Sequence, residues 1–324
     1  MTPILTTIIV NDKRTVLRHI DYDRFMIDVS ALQALRALAD LGTMSRVADD
    51  LGFTASAISQ KIKRLEVEVG VRLVSPAGRR VVLTAAGRAL VESVPGVVQA
   101  LEQSVSAARS ADAGVPRGMF RIVAFSTAVR GIVAPVLAGL AVDYPDLRVE
   151  IVEGDPVPAV YAVESGGADL ALVHDADGVP TPVSPGVRPS LLHTDVGDLA
   201  VPAGHPLTHF DEPIGMADLA GCRWVTSPPG TVCHQWFQRM FAGSAAEPDV
   251  VHSVDDFSTQ MALVASGDVV ALIPRLARPT PPAGVELRPL KQAPRRVVHA
   301  VWRRSSEDDP ALRAVVAALE AEAS

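Results

Sequence analysis

Cysteine is nearly missing from this chain: Cys222 and Cys233 are the only two among 324 residues. That excludes a disulfide framework and suits a reducing compartment, where isolated cysteines are usually buried as small apolar residues. Their wide separation also lacks the paired close spacings of a zinc site. Aromatic residues make up only 4%, so Leu, Val and Ala must carry the packing. No run of about 18 apolar residues occurs, which argues against a membrane span. Residues 1–25 scatter Asp12, Lys13, Arg14, Arg18, Asp21 and Asp23 through an apolar stretch, unlike a secretory signal. They read as an extension ahead of the first strong helical pattern, which begins after Met26.

Catalytic signatures are missing as well. The chain holds no G-x-G-x-x-G, P-loop, H-E-x-x-H or G-x-S-x-G. Ser227, Cys233 and His234 invite a nucleophile, but adjacency in sequence does not aim one side chain at another. No catalytic residue, metal ligand or cofactor is therefore expected.

What is present is an ordinary globular composition, 48% hydrophobic and 21% charged, long enough for two or three domains. Three short helices open it. Ser30 and Gln33 have capping-box spacing ahead of Leu32, Leu35 and Leu38, and Gly42 can end that helix. Thr43 can cap a second helix to about Leu51, and Gly52-Phe53 forms a turn. Thr54 can then cap a third helix to about Val69. In the third helix Ile58, Ile62, Leu65 and Val69 make one apolar stripe. Ala55, Ser56, Ser59, Gln60 and Lys63 make the opposite, small and polar one. A short helix, a glycine turn and a second helix together form the layout that presents a recognition helix to a major groove.

After Gly70, the stretches around Val71–Leu73 and Val81–Leu83 read as two strands with a basic tip at Gly78-Arg79-Arg80, a wing. From Thr54 to Arg88 seven cationic side chains stand against Glu66 and Glu68, a local charge of +5 in a chain of net −7. That is the footprint of phosphate contact. Thr84 to about Ala113 reads as a long helix. Leu90, Val94, Val97, Leu101, Val105 and Ala108 form a near-heptad seam, and Pro95 is expected to kink it.

The remainder alternates. Phe120–Phe125, Arg148–Val152 and Asp169–His174 are strand-like, with helical stretches between them, which predicts a mostly parallel sheet with helices on its faces. A second unit is expected from about residue 201 to 276, with strands at Arg223–Thr226 and Val269–Ile273. Arg296–Arg303 and a helix over Pro310–Ala323 return to the first unit. The proline-rich patches at 180–189 and 279–282 read as loops.

The run Ser45-Arg46-Val47-Ala48-Asp49-Asp50-Leu51, then Thr54 through Glu66, then Gly70-Val71-Arg72-Leu73 and Gly78 through Gly87, resembles the LysR-type transcriptional regulators. The resemblance covers residues 26–324. It implies an α/β chain: a winged helix-turn-helix over 26–87, a linker and dimerisation helix over 88–117, and an effector domain over 118–324. The effector domain would be two α/β subdomains like a periplasmic binding protein, about 118–200 with 277–324, and 201–276. Where the family often carries glutamine and proline, this chain has Ala55 and Ser56, so no glutamine can read a base at Ala55. Val74 and Pro76 likewise replace an aromatic and an arginine near the wing.

The resemblance implies double-stranded DNA as one partner, met by Thr54, Ser56, Ser59, Gln60, Lys61 and Lys63 on the helix and by Arg79 and Arg80 on the wing. It implies a cytoplasmic homo-oligomer, dimer or tetramer. A small effector, expected to be anionic from the helix N-termini nearby, would sit between the subdomains at Ser126, Thr127, Ser227, Gly230, Thr231, Asp256, Phe257 and Ile273. Two rivals stand beside this reading. Cys222 and Cys233 could form a regulatory disulfide, or the cleft domain could serve solute binding or an enzyme.

Overall fold

The structure is a computed structural model that describes residues 27–77, 80–111, 114–175, 178–243, 247–276 and 278–323. The expected extension over 1–25 lies outside them. The chain divides into two compact units between Val94 and Pro95.

The first unit opens with helix α1 (Val29–Leu41), α2 (Met44–Leu51) and α3 (Ala55–Val69). Glycines 42, 52 and 70 end these helices in the left-handed conformation that L side chains rarely adopt. Asp28, not Ser30, caps α1, because the Asp28 carboxylate accepts the Ser30 N–H at 2.9 Å. The three helices pack on one another and bury Leu32, Leu35, Leu38, Val47, Ile58, Ile62 and Leu65. Each such side chain taken out of water stabilises the fold by roughly 1.5–3 kcal/mol.

Strands β1 (Val74–Ala77) and β2 (Arg80–Leu83) then form an antiparallel hairpin. It starts later than the expected Val71. The Glu66 carboxylate accepts the N–H groups of both Leu73 and Val74, at 2.8 and 3.1 Å, and the Leu73 carbonyl accepts from Thr84. The backbone at Leu73 is thus engaged by α3 and by the segment after the hairpin. Helix α4 (Ala85–Ala111) follows without a break, and Pro95 lies inside it.

In the second unit the elements are β3 (Gly118–Ala124), α5 (Ser126–Ala128), α6 (Ala134–Asp143), β4 (Leu147–Glu153), α7 (Pro156–Ser165) and β5 (Leu170–His174). Next come β6 (Val187–Pro202), β7 (Arg223–Thr226), α8 (Val232–Met240), β8 (Asp249–Ser253), α9 (Phe257–Ala265) and β9 (Ala271–Pro274). The chain closes with β10 (Val285–Arg288), β11 (Arg295–Arg303) and α10 (Pro310–Ala323). A π turn over Val129–Val133 joins α5 to α6.

Strands β3, β4 and β5 are parallel, and β11 joins β5 antiparallel. The period of two in β5 divides its side chains cleanly. Leu170 and Leu172 enter a core with Ile132, Val133, Leu312, Val315 and Leu319, while Ala171 and Val173 meet Ala159, Val160 and Val163 of α7. Both sheet faces are covered, which explains why β5 is apolar nearly throughout. By composition the helical run Ser126–Asp143 is apolar enough to cross a membrane. Its Ala128, Ile132, Val133 and Leu140 are instead part of this core.

The 16-residue strand β6 connects two lobes. Its first part pairs with β11, and its last part pairs with β9 and β10. The second lobe repeats the layering. Leu199, Val201 and Leu272 pack with Trp236, Phe237 and Met240 of α8, whereas Ala200, Ala271 and Ile273 pack with Phe257, Met261 and Val264 of α9.

Candidate effector cavity and nucleic-acid interface

Helix α3 separates its two stripes as the periodicity requires. Ile58, Ile62 and Leu65 are buried; Ser56, Gln60 and Lys63 are exposed and Ser59 is half-buried. Thr54 acts as the N-cap, accepting the Ala57 N–H at 3.2 Å. Lys61 has a different place. Its Nζ donates to Ser30 Oγ at 2.6 Å, lies 3.6 Å from Asp28 Oδ2 and stands 5.1 Å from the centre of the Phe53 ring. Hydrogen bonds from Ser30, aided by the Lys61 charge, hold the Asp28 carboxyl below its ordinary value. Lys61 therefore braces α3 against the start of α1. Arg80 opens β2 opposite Ala77 at the tip of the wing, and Arg79 lies outside the described residues.

The second unit holds a cavity of about 200 Å³ where the two lobes meet. Its walls come from the carboxyl ends of the parallel strands and from helix starts: Phe125, Ser126 and Thr127 after β3, Glu153 at the end of β4 with Asp155 beyond it, and His174 at the end of β5. The opposite wall is Val232 and Cys233 at the start of α8 and Asp255 and Phe257 at the start of α9. Carboxyl ends of strands are the usual ligand side of an open α/β sheet.

Arg296, on β11, is buried completely and forms the floor. Its Nε donates to Asp195 Oδ2 at 2.9 Å and its Nη2 to Thr127 Oγ1 at 2.9 Å. The guanidinium also lies 5.4 Å from the Phe125 ring centre and 5.6 Å from that of Trp236. Its Nη1 has no hydrogen-bond partner. The Cys233 thiol, which the guanidinium approaches, is a poor acceptor. A buried cationic donor without a partner, in a side chain that lines a cavity, is a costly arrangement unless a ligand supplies the acceptor.

His174 stands beside this arginine. Burial, reinforced by the Arg296 charge, drives its pKa down to about 3, so the ring is neutral. Its Nδ1 lies 3.0 Å from the Asp175 carbonyl, which makes Nδ1 the donor and leaves Nε2 to accept from the Cys233 thiol at 3.8 Å. Burial pushes that thiol up to about 11. Thiol and imidazole are both uncharged, the reverse of a thiolate–imidazolium nucleophile. His234, the sequence neighbour of Cys233, turns to the Ser227 carbonyl at 2.9 Å.

Of the residues expected around an effector, Ser126, Thr127 and Phe257 line the cavity. The other five serve the fold around it. Thr231 caps α8 by accepting the His234 N–H at 3.1 Å, and Asp256 caps α9 by accepting the Thr259 N–H at 2.7 Å. Ser227 is buried, Gly230 turns the chain at φ 95°, and Ile273 belongs to the core under α9. Sequence reasoning missed Arg296, His174 and the carboxylates of Glu153, Asp155 and Asp255. One signal was available: an arginine at the head of the apolar run Val297-Val298-His299-Ala300-Val301, since a charge in a buried strand needs a reason.

Cys222 and Cys233 belong to different cores. Cys222 packs with the cluster of Trp224 and Trp236, and Cys233 with that of Phe257 and Ile273. Burial raises both thiols.

Comparison with known proteins agrees with both halves. Residues 29–88 match the bacterial regulatory helix-turn-helix proteins of the lysR family, and residues 113–324 match the LysR substrate binding domain. The chain is 30% identical over 267 residues to a small neutral protease regulatory protein of Streptomyces coelicolor, covering 81% of this chain and 82% of that one. It is 29% identical over 297 residues to a probable hydrogen peroxide-inducible genes activator of Mycobacterium avium, covering 88% and 91%. Among solved structures, a full-length OxyR variant from Pseudomonas aeruginosa superimposes with a TM-score of 0.63 at 22% identity, covering 91% of this chain and 94% of that one. The winged helix-turn-helix, the two-lobed domain and these matches together place the chain in the LysR family of bacterial transcription regulators.

Proposed function

We propose that the outward polar ridge Ser56, Ser59, Gln60 and Lys63 reads duplex DNA, and that a small effector in the cavity above Arg296 controls how it does so. The observation that carries the first half is the division of α3: polar side chains outward, Ile58, Ile62 and Leu65 locked behind them. Phosphate contacts by Lys63 and the wing would position the protein, and Gln60 would contribute base discrimination. The second half rests on Arg296, a cavity-lining cation whose buried Nη1 has no partner and suits an anionic group.

The floor is also wired to the hinge. Asp195, the partner of Arg296, accepts the N–H groups of Arg275 and Leu276, where the chain leaves β9. A ligand drawing on Arg296 would act on the connection between the lobes, which is how differential contacts become a population shift. The regulator would act in the cytoplasm as a homo-oligomer, dimer or tetramer, with no catalytic step. A disulfide switch is not favoured, because the two thiols lie in separate cores and burial keeps both protonated.

A mobility-shift titration tests the reading, using duplex from upstream of the protein's own gene and a shuffled duplex of equal length. The upstream duplex should bind at least tenfold more tightly, and Gln60→Ala should narrow that ratio. Equal affinity for the two duplexes by the wild type would overturn it.

A further inference from the structure

The cavity carries two kinds of charge, and they are kept apart. At the floor, Arg296 and Asp195 neutralise one another through contacts of 2.8 and 2.9 Å, with Nη1 left over. On the walls stand Glu153, Asp155 and Asp255, while the His174 ring is neutral. The lining therefore has an excess of three carboxylates. None of these three has a hydrogen-bond or ion-pair partner among the described residues.

Asp155 precedes α7 in the first lobe, and Asp255 lies just ahead of α9 in the second. Burial first, and then the charge of Asp255, raises the Asp155 pKa, so the two carboxylates sense each other. Like charges facing across a cleft repel, and a cation between them reverses the sign of that interaction. A metal ion is a poor candidate, because no group of three His, Cys, Asp or Glu among the described residues is placed to hold one. A purely anionic ligand would satisfy Arg296 and leave the walls unanswered. At about 200 Å³ the space suits a small metabolite rather than a nucleotide.

We propose that the effector is a small zwitterion of the amino-acid class, its carboxylate on Arg296 and Ser126 and its ammonium held between Asp155 and Asp255. This rests on the effector reading of the same cavity. It adds a consequence: the ammonium would tie the two lobes together, so the same group that gives selectivity also favours the closed arrangement.

The test is calorimetric titration of the full chain with the twenty proteinogenic amino acids, followed by the deaminated acid and the decarboxylated amine of any that bind. Succinate and benzoate serve as carboxylates without an amine. At least one amino acid should bind, and loss of either its amine or its carboxylate should weaken binding tenfold or more. Asp255→Asn, an exposed substitution that spares the core, should weaken the amino acid by a similar factor. Binding of the deaminated acid as tight as that of its parent, or no binding by any amino acid, overturns the inference. Succinate or benzoate binding that is lost in Arg296→Lys would overturn the zwitterion while sustaining the effector reading. Binding of every probe unchanged in Arg296→Lys would overturn the effector reading itself.

Discussion

Asp195 and Arg296 stand directly opposite one another across the antiparallel pair β6 and β11, and their side chains meet at 2.8 Å with almost no exposure to solvent. The aspartate is saturated. Its Oδ1 also accepts the N–H groups of Val196, Arg275 and Leu276 at 2.9, 3.1 and 3.0 Å. The arginine is not saturated, and the cavity owes its chemistry to that inequality.

Unequal loss should follow from breaking the pair from each side. Asp195→Ala strands a buried guanidinium and three backbone N–H groups, so it should cost about 3–5 kcal/mol. Arg296→Met should cost less, because the aspartate keeps its backbone donors and methionine fills much of the same volume. Urea unfolding of both variants checks the order, which should be Asp195→Ala below Arg296→Met below wild type.

Gly87 should tolerate no side chain. A Cβ there would lie 2.1 Å from the Leu73 carbonyl oxygen, a backbone atom pinned by its bond from Thr84. Gly87→Ala must push α4 away from the base of the wing, at a cost of about 1–3 kcal/mol or more. Differential scanning calorimetry should show the N-terminal unit melting earlier, with the two-lobed unit unchanged.

His174 predicts a pH dependence. Its folded pKa of about 3 lies below the unfolded value of 6.5, so between them the unfolded chain binds the extra proton. Stability is therefore fully present above the unfolded value and falls as the pH drops below it, by at most about 1.4 kcal/mol per pH unit from this group. Urea melts of wild type should lose midpoint between about pH 7 and pH 5, and His174→Asn should lose less. Parallel losses would show that the ring is already accessible to protons in the folded state.

Much of the architecture was legible from periodicity alone. The stripe of Ile58, Ile62 and Leu65, the strand Arg223–Thr226 and the helix Pro310–Ala323 lie where their patterns put them. Strand β6 was not legible, because Pro189, Asp195, Gly197 and Asp198 break its alternation. Asp195, Gly197 and Asp198 each have a tertiary cause, Asp195 through its pairing with Arg296. A Cβ on Gly197 would collide with Leu272 and Trp236 at 2.6 Å, and Asp198 is held by Arg275 and Arg278 at 2.7 and 2.6 Å. The cavity was only partly legible for the same reason. Arg296 and Asp195 are 101 residues apart in sequence, and no local spacing announces a pair made by strand register. Thr231 and Asp256 sit at helix starts where a ligand contact and a cap share one signature; here both side chains cap.

DNA recognition rests on the outward stripe of α3, and salt-dependent binding to upstream duplex DNA by fluorescence anisotropy tests it directly. Lys63→Ala should lower affinity on every sequence and reduce the log–log salt slope by about one, since it removes one phosphate contact. Lys61→Ala should leave that slope alone and lower the melting temperature, because Lys61 is occupied by Ser30, Asp28 and Phe53. A wild-type protein whose affinity ignores salt, or a Lys63→Ala variant indistinguishable from it, would contradict the assignment of this helix to DNA.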